Sequence, residues 1–194
     1  MRSGRCRRRE RSARGFTLVE LAIVLVMIGV LGAIVLPKLR LERSQVDSGA
    51  RALGMAIIAA RADAVARGHN VLVLLDTARG QARAVWDVNN NRRADAGEKS
   101  RPFLMGERVR FGRGLGTPLY DGHTDAITAL PSDNGVPMLI VQRNGALEKG
   151  GTLYLTSRRG AAGVGDIDSR ALRLDRATGR VTVYVRTASA WRRQ

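Results

Sequence analysis

The chain changes its hydrophobic rhythm twice, and each change marks a boundary. From Leu21 to Leu36, sixteen consecutive residues carry no charge and most are apolar. Counted from Phe16, the run is 21 residues. As a helix at 1.5 Å per residue it is roughly 31 Å long, about one bilayer hydrocarbon core. Residues 16–36 therefore read as the transmembrane half of a helix. Pro37 follows and predicts a kink, because proline removes a helical hydrogen bond. Beyond it, Val46, Ala50, Leu53, Ile57, Ala60 and Ala64 recur at spacings of four and three, with Arg43, Asp47, Arg51, Arg61 and Asp63 off the stripe. That is the amphipathic half, residues 37–68, and Gly68 is its natural stop. The pattern predicts a helix from about Thr17 to Arg67, roughly 75 Å long, with a sheet packed against the second stripe.

From His69 onward the rhythm becomes short β-rich runs broken by turn residues. Candidate strands are Val71–Asp76, Gln81–Asp87, Arg108–Phe111, Met138–Gln142, Thr152–Thr156, Arg170–Asp175 and Val181–Arg186. Thr77–Gly80 closes a first hairpin and Arg176–Arg180 a last one, while 113–135 and 157–169 read as loops. The 126 residues from 69 to 194 can bury a modest core. The expected class is α+β: a long N-terminal helix packed on an antiparallel β-sheet head.

Charge adds direction. Residues 1–15 hold seven arginines and one acid, so this leader contributes +6 of the chain's +16 and leaves +10 on the rest. Basic flanks stay on the cytoplasmic side of a membrane segment, which places the bulk of the chain outside. The sole cysteine, Cys6, lies in the leader, so no disulfide stabilises the remainder. Thirty of the 33 basic residues are arginine. The basic head fits nucleic acid or another anionic surface as a partner, and equally a compositional habit of an arginine-rich proteome.

One acid interrupts the picture. Glu20 sits at the mouth of the apolar run, where a carboxylate costs up to about 2.5–3.5 kcal/mol at the membrane centre and less near an end. The stretch Arg14-Gly15-Phe16-Thr17-Leu18-Val19-Glu20, ahead of that run, resembles the processing site of type IV prepilins and type II secretion pseudopilins. A plain signal anchor leaves Glu20 unexplained. The resemblance implies that prepilin peptidase cuts between Gly15 and Phe16, that Phe16 is N-methylated, and that Glu20 becomes the fifth mature residue. Glu20 then meets the terminal amine of a neighbouring subunit and acts in assembly. The family commonly carries a proline near position 37, where the helix bends on packing into a filament.

The head carries a second likeness. The hairpin Val71–Asp87, Asp87-Val88-Asn89-Asn90-Asn91, Gly97-Glu98, Gly151-Thr152-Leu153-Tyr154-Leu155, Ala177-Thr178-Gly179-Arg180-Val181 and Trp191 resemble the H-type minor pseudopilins and related type IV pilus minor pilins. That implies a head of two antiparallel sheets beside the long helix. It also implies a structural subunit without a cofactor: a minor pseudopilin of the type II secretion pseudopilus, supporting protein export across the outer membrane. Such a subunit is a single-pass inner-membrane protein with a cytoplasmic N-terminus and a periplasmic head, assembled with other pilins or pseudopilins. The alternatives are a type IV pilus minor pilin of the same branch, binding DNA during uptake, and an orphan pilin-like protein.

Other chemistry was weighed on the residues themselves. Asp87, Asn89, Asn91, Asp95 and Glu98 occupy positions 1, 3, 5, 9 and 12 of an oxygen-rich loop, the ligand spacing of a calcium-binding EF-hand. Arg92 stands where the sharp turn wants glycine, and no flanking helix pair is expected, so a polar turn-rich loop fits as well. His69 and His123 are far apart, and Asp121, His123 and Asp125 form only a weak metal pattern in a glycine loop. No G-x-S-x-G, H-E-x-x-H or P-loop motif occurs, which argues against an enzyme. In the last hairpin, period-two alternation predicts an outward face of Arg173, Tyr184 and Arg186, with Arg176 and Arg180 at the turn and Trp191, Arg192 and Arg193 beyond. Arginines beside aromatics suit phosphates and bases. Some relatives are thought to bind DNA through arginines near a Gly-Arg motif, but a second arginine two residues after Arg180 is missing here. A solvated basic sheet face is the competing reading.

Overall fold

The computed structural model describes residues 17–114, 117–119, 127, 130–164, 168–188 and 190–194, with side chains at 32 and 34–40 outside that description. The leader with Gly15 and Phe16, and Asp121, His123 and Asp125, lie outside the described residues. The chain divides into two compact units, Met1–Leu39 and Arg40–Gln194.

In the first unit the described residues form the opening turns of α1, whose full extent is Leu18–Arg67. Every large apolar side chain marked exposed between Leu18 and Leu31 shows 45% or more of its surface. Apolar residues on all sides of a helix match a segment buried all round by something other than its own chain. Among the described residues, no helix is long and apolar enough to cross a membrane. The anchor expected over 16–36 includes Phe16 and side chains at 32 and 34–36 that lie outside that description. Pro37 falls within α1, its side chain likewise outside.

The second unit is a head built on the later turns of α1. Val46, Ala50, Leu53, Ile57, Ala60 and Ala64 are all buried, as their spacing predicts. Each large side chain among them contributes roughly 1.5–3 kcal/mol by leaving water. Gly68 ends the helix at φ +72, its N–H bonded to Ala64 O at 3.0 Å; only glycine takes that conformation without penalty.

Among the described residues, ten strands follow: β1 Asn70–Asp76, β2 Gln81–Asp87, β3 Ser100–Leu104, β4 Val109–Phe111, β5 Ser132–Asp133, β6 Val136–Val141, β7 Gly151–Ser157, β8 Arg170–Leu174, β9 Val181–Arg186 and β10 Trp191–Arg193, with a short helix α2, Arg158–Ala161, after β7. They form two five-stranded sheets in the orders β3-β2-β1-β6-β5 and β10-β9-β8-β7-β4. Every pairing is antiparallel. Val71, Val73, Leu75, Leu139 and Val141 of the first sheet join Leu153, Leu155, Leu172 and Leu174 of the second in one core with the α1 stripe. The first sheet buries its other face too: Leu72, Leu74, Val85, Met138 and Ile140 form a second cluster, against which Ala94 and Val136 pack. A long N-terminal helix on antiparallel sheets is thus the observed architecture.

Differences from expectation are local. β3 holds Pro102 and is exposed at four of its five positions, so it lacks the alternation that marks a half-buried strand; proline survives there because β3 is an edge. β5 and β10 are too short to carry a period. Within the stretch read as loop, α2 forms because Ser157 Oγ accepts the N–H of Gly160 at 3.0 Å, an N-cap.

Charged groups fasten the helix to the second sheet. Asp47 Oδ1 accepts from Arg170 Nε at 2.5 Å, and Arg170 is 4% exposed. Four residues earlier on α1, Arg43 Nε donates to Asp168 Oδ1 at 2.9 Å. Asp168 also accepts from Ser157 Oγ at 3.3 Å.

Candidate functional site

Three places carry the chemistry anticipated above. The first is the start of α1. Thr17 precedes the helix, and its Oγ1 accepts the backbone N–H of Glu20 at 3.2 Å, while Thr17 O accepts from Leu21 N at 3.2 Å. Thr17 thus caps α1, making the first half of a capping box, with Glu20 in the first turn. A carboxylate there meets the positive end of the helix dipole, an effect of about 0.3–1 kcal/mol at exposed sites. This is a partial, intramolecular offset to the cost of an acid beside an apolar run. The T-x-x-E signal was present in the sequence, where Glu20 was read only for assembly. Glu20 is exposed, and the apolar side chains of Leu18, Val19, Leu21 and Ile23 stand around it on the same helix.

The second place is the outer face of the second sheet. Register puts Arg173 opposite Thr152 and Thr182, and Tyr184 opposite Ala171 and Arg193. Arg173 is exposed, Tyr184 half-buried, and Arg176 and Arg180 are exposed at the β8–β9 turn. The turn is firmly made. Asp175 Oδ1 accepts from Thr178 Oγ1 at 2.7 Å and from Thr178 N at 2.8 Å. The Thr178 hydroxyl, then its backbone N–H, hold the Asp175 carboxyl below its ordinary pKa. Gly179 completes the turn at φ +65, so close to Gly145 O that a Cβ would lie 2.3 Å from it.

Arg186 departs from the expected outward face. It is buried, 8% exposed, with Nη1 donating to Thr117 Oγ1 at 2.9 Å and the guanidinium 5.7 Å from the centre of the Trp191 ring. Trp191 itself donates Nε1–H to Thr117 O at 3.0 Å and lies 5.9 Å from Tyr154, ring to ring. Leu119 N–H bonds the Tyr154 hydroxyl at 2.9 Å. Residues 117 and 119 thus sit on this end of the sheet. Alternation puts Arg186 on the predicted side, but that side is covered, and coverage by a distant loop leaves no mark on the period.

The third place is the loop after β2. Asp87, wholly buried, accepts Asn91 N–H on Oδ1 and Arg92 N–H on Oδ2, both at 2.9 Å. Asn89 Oδ1 accepts from Asn91 N at 3.1 Å, and Asn91 Oδ1 from Arg93 N at 2.8 Å. Asp95 Oδ2 takes both side-chain amides, Asn89 Nδ2 at 2.9 Å and Asn91 Nδ2 at 2.6 Å. Those two amides are the main reason its carboxyl is held below the ordinary pKa. Glu98 accepts from Val88 N and Asp95 N at 3.0 and 3.1 Å. The five expected ligands are tied into one hydrogen-bonded loop, their oxygens accepting its own N–H groups. Arg92, at the position that wants glycine, adopts φ +64 nonetheless. Among the described residues, no group of three or more His, Cys, Asp or Glu side chains is arranged to hold a metal. His69 stands apart, its Nδ1 3.1 Å from Asn70 O.

Comparison with known proteins bears on the first place most directly. Residues 11–36 match the family described as the prokaryotic N-terminal methylation motif. Over 87 residues the chain is 39% identical to the pilin-like protein PilA1 of Thermus thermophilus, covering 44% of this chain and 56% of that protein. The chain thus spans about half the length of that curated relative. Among solved structures, the minor pseudopilin EpsH from the type 2 secretion system of Vibrio cholerae matches with a TM-score of 0.48 and 15% identity, over 75% of this chain and 99% of that one. Thr17 and Glu20 lie inside the matched motif, so the chain carries an N-terminal methylation motif and, over part of its length, resembles a pilin-like protein.

Proposed function

We propose that the chain is an H-type minor pseudopilin, a structural subunit of a type II secretion pseudopilus. Prepilin peptidase removes residues 1–15 between Gly15 and Phe16, and the new N-terminus on Phe16 is methylated. Residues 16–36 anchor the subunit once through the inner membrane, with the leader cytoplasmic and the head periplasmic. Glu20 pairs with the amine of a neighbouring Phe16, and the exposed apolar side chains of α1 are covered first by lipid, then by other subunits. The observation that carries this reading is the exposed apolar stretch Leu18–Leu31 with one acid, Glu20, inside a matched methylation motif. Mass spectrometry of the membrane-extracted protein is expected to find a chain starting at methylated Phe16. Glu20→Ala is expected to remain in the membrane fraction and to be lost from sheared filaments. Normal incorporation of that variant would sink the assembly role.

A second reading, a type IV pilus minor pilin that binds DNA, draws support from Arg173, Tyr184 and Arg193 on one sheet face with Arg176 and Arg180 exposed beside them. If it holds, DNA affinity falls steeply with salt, at a log–log slope of about −0.9 per phosphate contacted on duplex, and Arg173→Ala with Arg180→Ala lowers the slope. Absence of binding at low salt removes it. The ligand spacing of Asp87–Glu98 likewise supports a proposal of calcium binding, which calorimetric silence at millimolar calcium removes.

A further inference from the structure

A polar cleft of about 400 Å³ opens in the head between the start of β1, the loop after β2 and the turn after β6. Its size falls in the roughly 300–1,000 Å³ range of small-molecule sites. Asn70, Asn90, Asn144, Arg92, Arg143 and Glu148 are, with Gln142, its polar lining.

The three asparagines share one condition. Asn70 Oδ1 accepts the N–H of Arg143 at 3.3 Å, Asn90 Oδ1 that of Asn70 at 2.8 Å, and Asn144 Oδ1 that of Ala146 at 3.0 Å. A backbone N–H bonds the oxygen of an amide and not its nitrogen, so the orientation of each side chain is fixed chemically. Each Nδ2 is then left without a partner among the described residues, and so is the Arg143 guanidinium. Arg92 Nη1 lies 3.6 Å from Glu148 Oε2, an ion pair beyond hydrogen-bond length, and that oxygen is buried without a hydrogen bond. The cleft therefore presents fixed N–H donors on several sides, one uncommitted guanidinium, and one carboxylate held only by charge.

This set selects a ligand. A nucleobase finds no aromatic ring in the lining to stack on. A bare inorganic anion uses the donors but faces Glu148. Vicinal hydroxyls accept from the amides and donate to the carboxylate, and a ligand carboxylate takes the guanidinium fork in a bidentate pair. We propose that this cleft binds an acidic saccharide, a uronate-type sugar, as a function separate from filament assembly. Asn70, Asn90 and Asn144 hold its hydroxyls, Glu148 accepts from one of them, and Arg143 takes its carboxylate.

The test uses the isotopically labelled full chain in zwitterionic micelles that carry no sugar headgroup. Trigalacturonate, neutral maltotriose and inorganic phosphate are titrated in turn, and the side-chain amide signals are followed by NMR. Trigalacturonate is expected to shift the Asn70, Asn90 and Asn144 amides and to saturate. Asn70→Asp and Asn144→Asp keep the oxygen that the backbone needs and delete the donors. Each is expected to weaken binding about tenfold with a well-dispersed spectrum retained, while Asn134→Asp, outside the cleft, leaves affinity unchanged. Arg143→Gln is expected to abolish the preference over maltotriose. Equal binding of maltotriose, binding of phosphate alone, or no amide shift with any of the three overturns the proposal.

Discussion

The two ends of α1 are made of similar residues put to opposite use. Between Leu18 and Leu31 the large apolar side chains are exposed. Between Val46 and Ala64 the apolar stripe is buried under two sheets. The difference lies in arrangement. The early turns are apolar all round and offer no polar face for water, and their large side chains stay exposed. The later turns bury one apolar stripe and place Arg51, Arg61 and Asp63 off it, although Met55, Ile58 and Val65 are exposed there too. One helix can thus be an exposed apolar element in its first half and a core element in its second, and the angular spread of its apolar residues distinguishes the two.

Truncation at matched positions puts that contrast to its hardest test. Leu53→Ala removes a wholly buried side chain and is expected to destabilise the head by about 2–5 kcal/mol, whereas Leu25→Ala leaves it within about 0.5 kcal/mol. Denaturant unfolding followed by the fluorescence of Trp86 and Trp191 reads both. Equal effects would erase the distinction between the two ends. Next in size is Asp47→Ala, which strands a nearly buried guanidinium on Arg170. Partial exposure of Asp47 and the further bond from Arg170 Nη1 to Ser169 O moderate the loss to about 2 kcal/mol in the same assay.

Gly179→Ala is a smaller perturbation of the head alone. It combines a left-handed φ with a contact on Gly145 O, and a loss of about 1–2 kcal/mol from the conformation is expected, more if the contact does not relax. A thermal melt that leaves Tm unchanged would show that the turn reorganises freely. The smallest effect is with pH. The carboxyls of Asp76, Asp95 and Asp175 are all held below the ordinary aspartate pKa, by the Arg79 backbone N–H, by the Asn89 amide and by the Thr178 hydroxyl respectively. A depressed carboxylate stabilises the fold above its unfolded pKa and loses that contribution as pH falls through the folded value. The melting temperature is therefore expected to decline below about pH 4. The Asp76→Asn, Asp95→Asn, Asp175→Asn triple variant is expected to be less stable at neutral pH and flatter in acid.

What could be read beforehand follows the range of the interactions involved. The α1 stripe, the Gly68 stop and the β1–β2 and β8–β9 hairpins were legible because each depends on neighbours within a few residues. β3 carries no readable alternation: among the described residues it pairs only with β2, across a loop, and Pro102 hides the strand. Arg186 was misjudged because its cover is Thr117, 69 residues away. At the candidate sites, the spacing of Asp87 through Glu98 marked a polar loop, whose side chains bond its own backbone. The spacing did not foretell those bonds, nor that Arg92 makes the turn glycine was thought to require. The asparagine cleft had no sequence signature at all, since Asn70, Asn90 and Asn144 meet only through the fold.

The paired charges between α1 and the second sheet have a mechanical meaning. Arg43 and Asp47 stand one helical turn apart, and their partners Asp168 and Arg170 stand two residues apart at the edge of β8. A pull along the helix axis loads both bonds together, in shear, and passes into a strand hydrogen-bonded on both sides, to β7 and β9. Force carried along the later turns of α1 thus meets the second sheet through a two-point coupling.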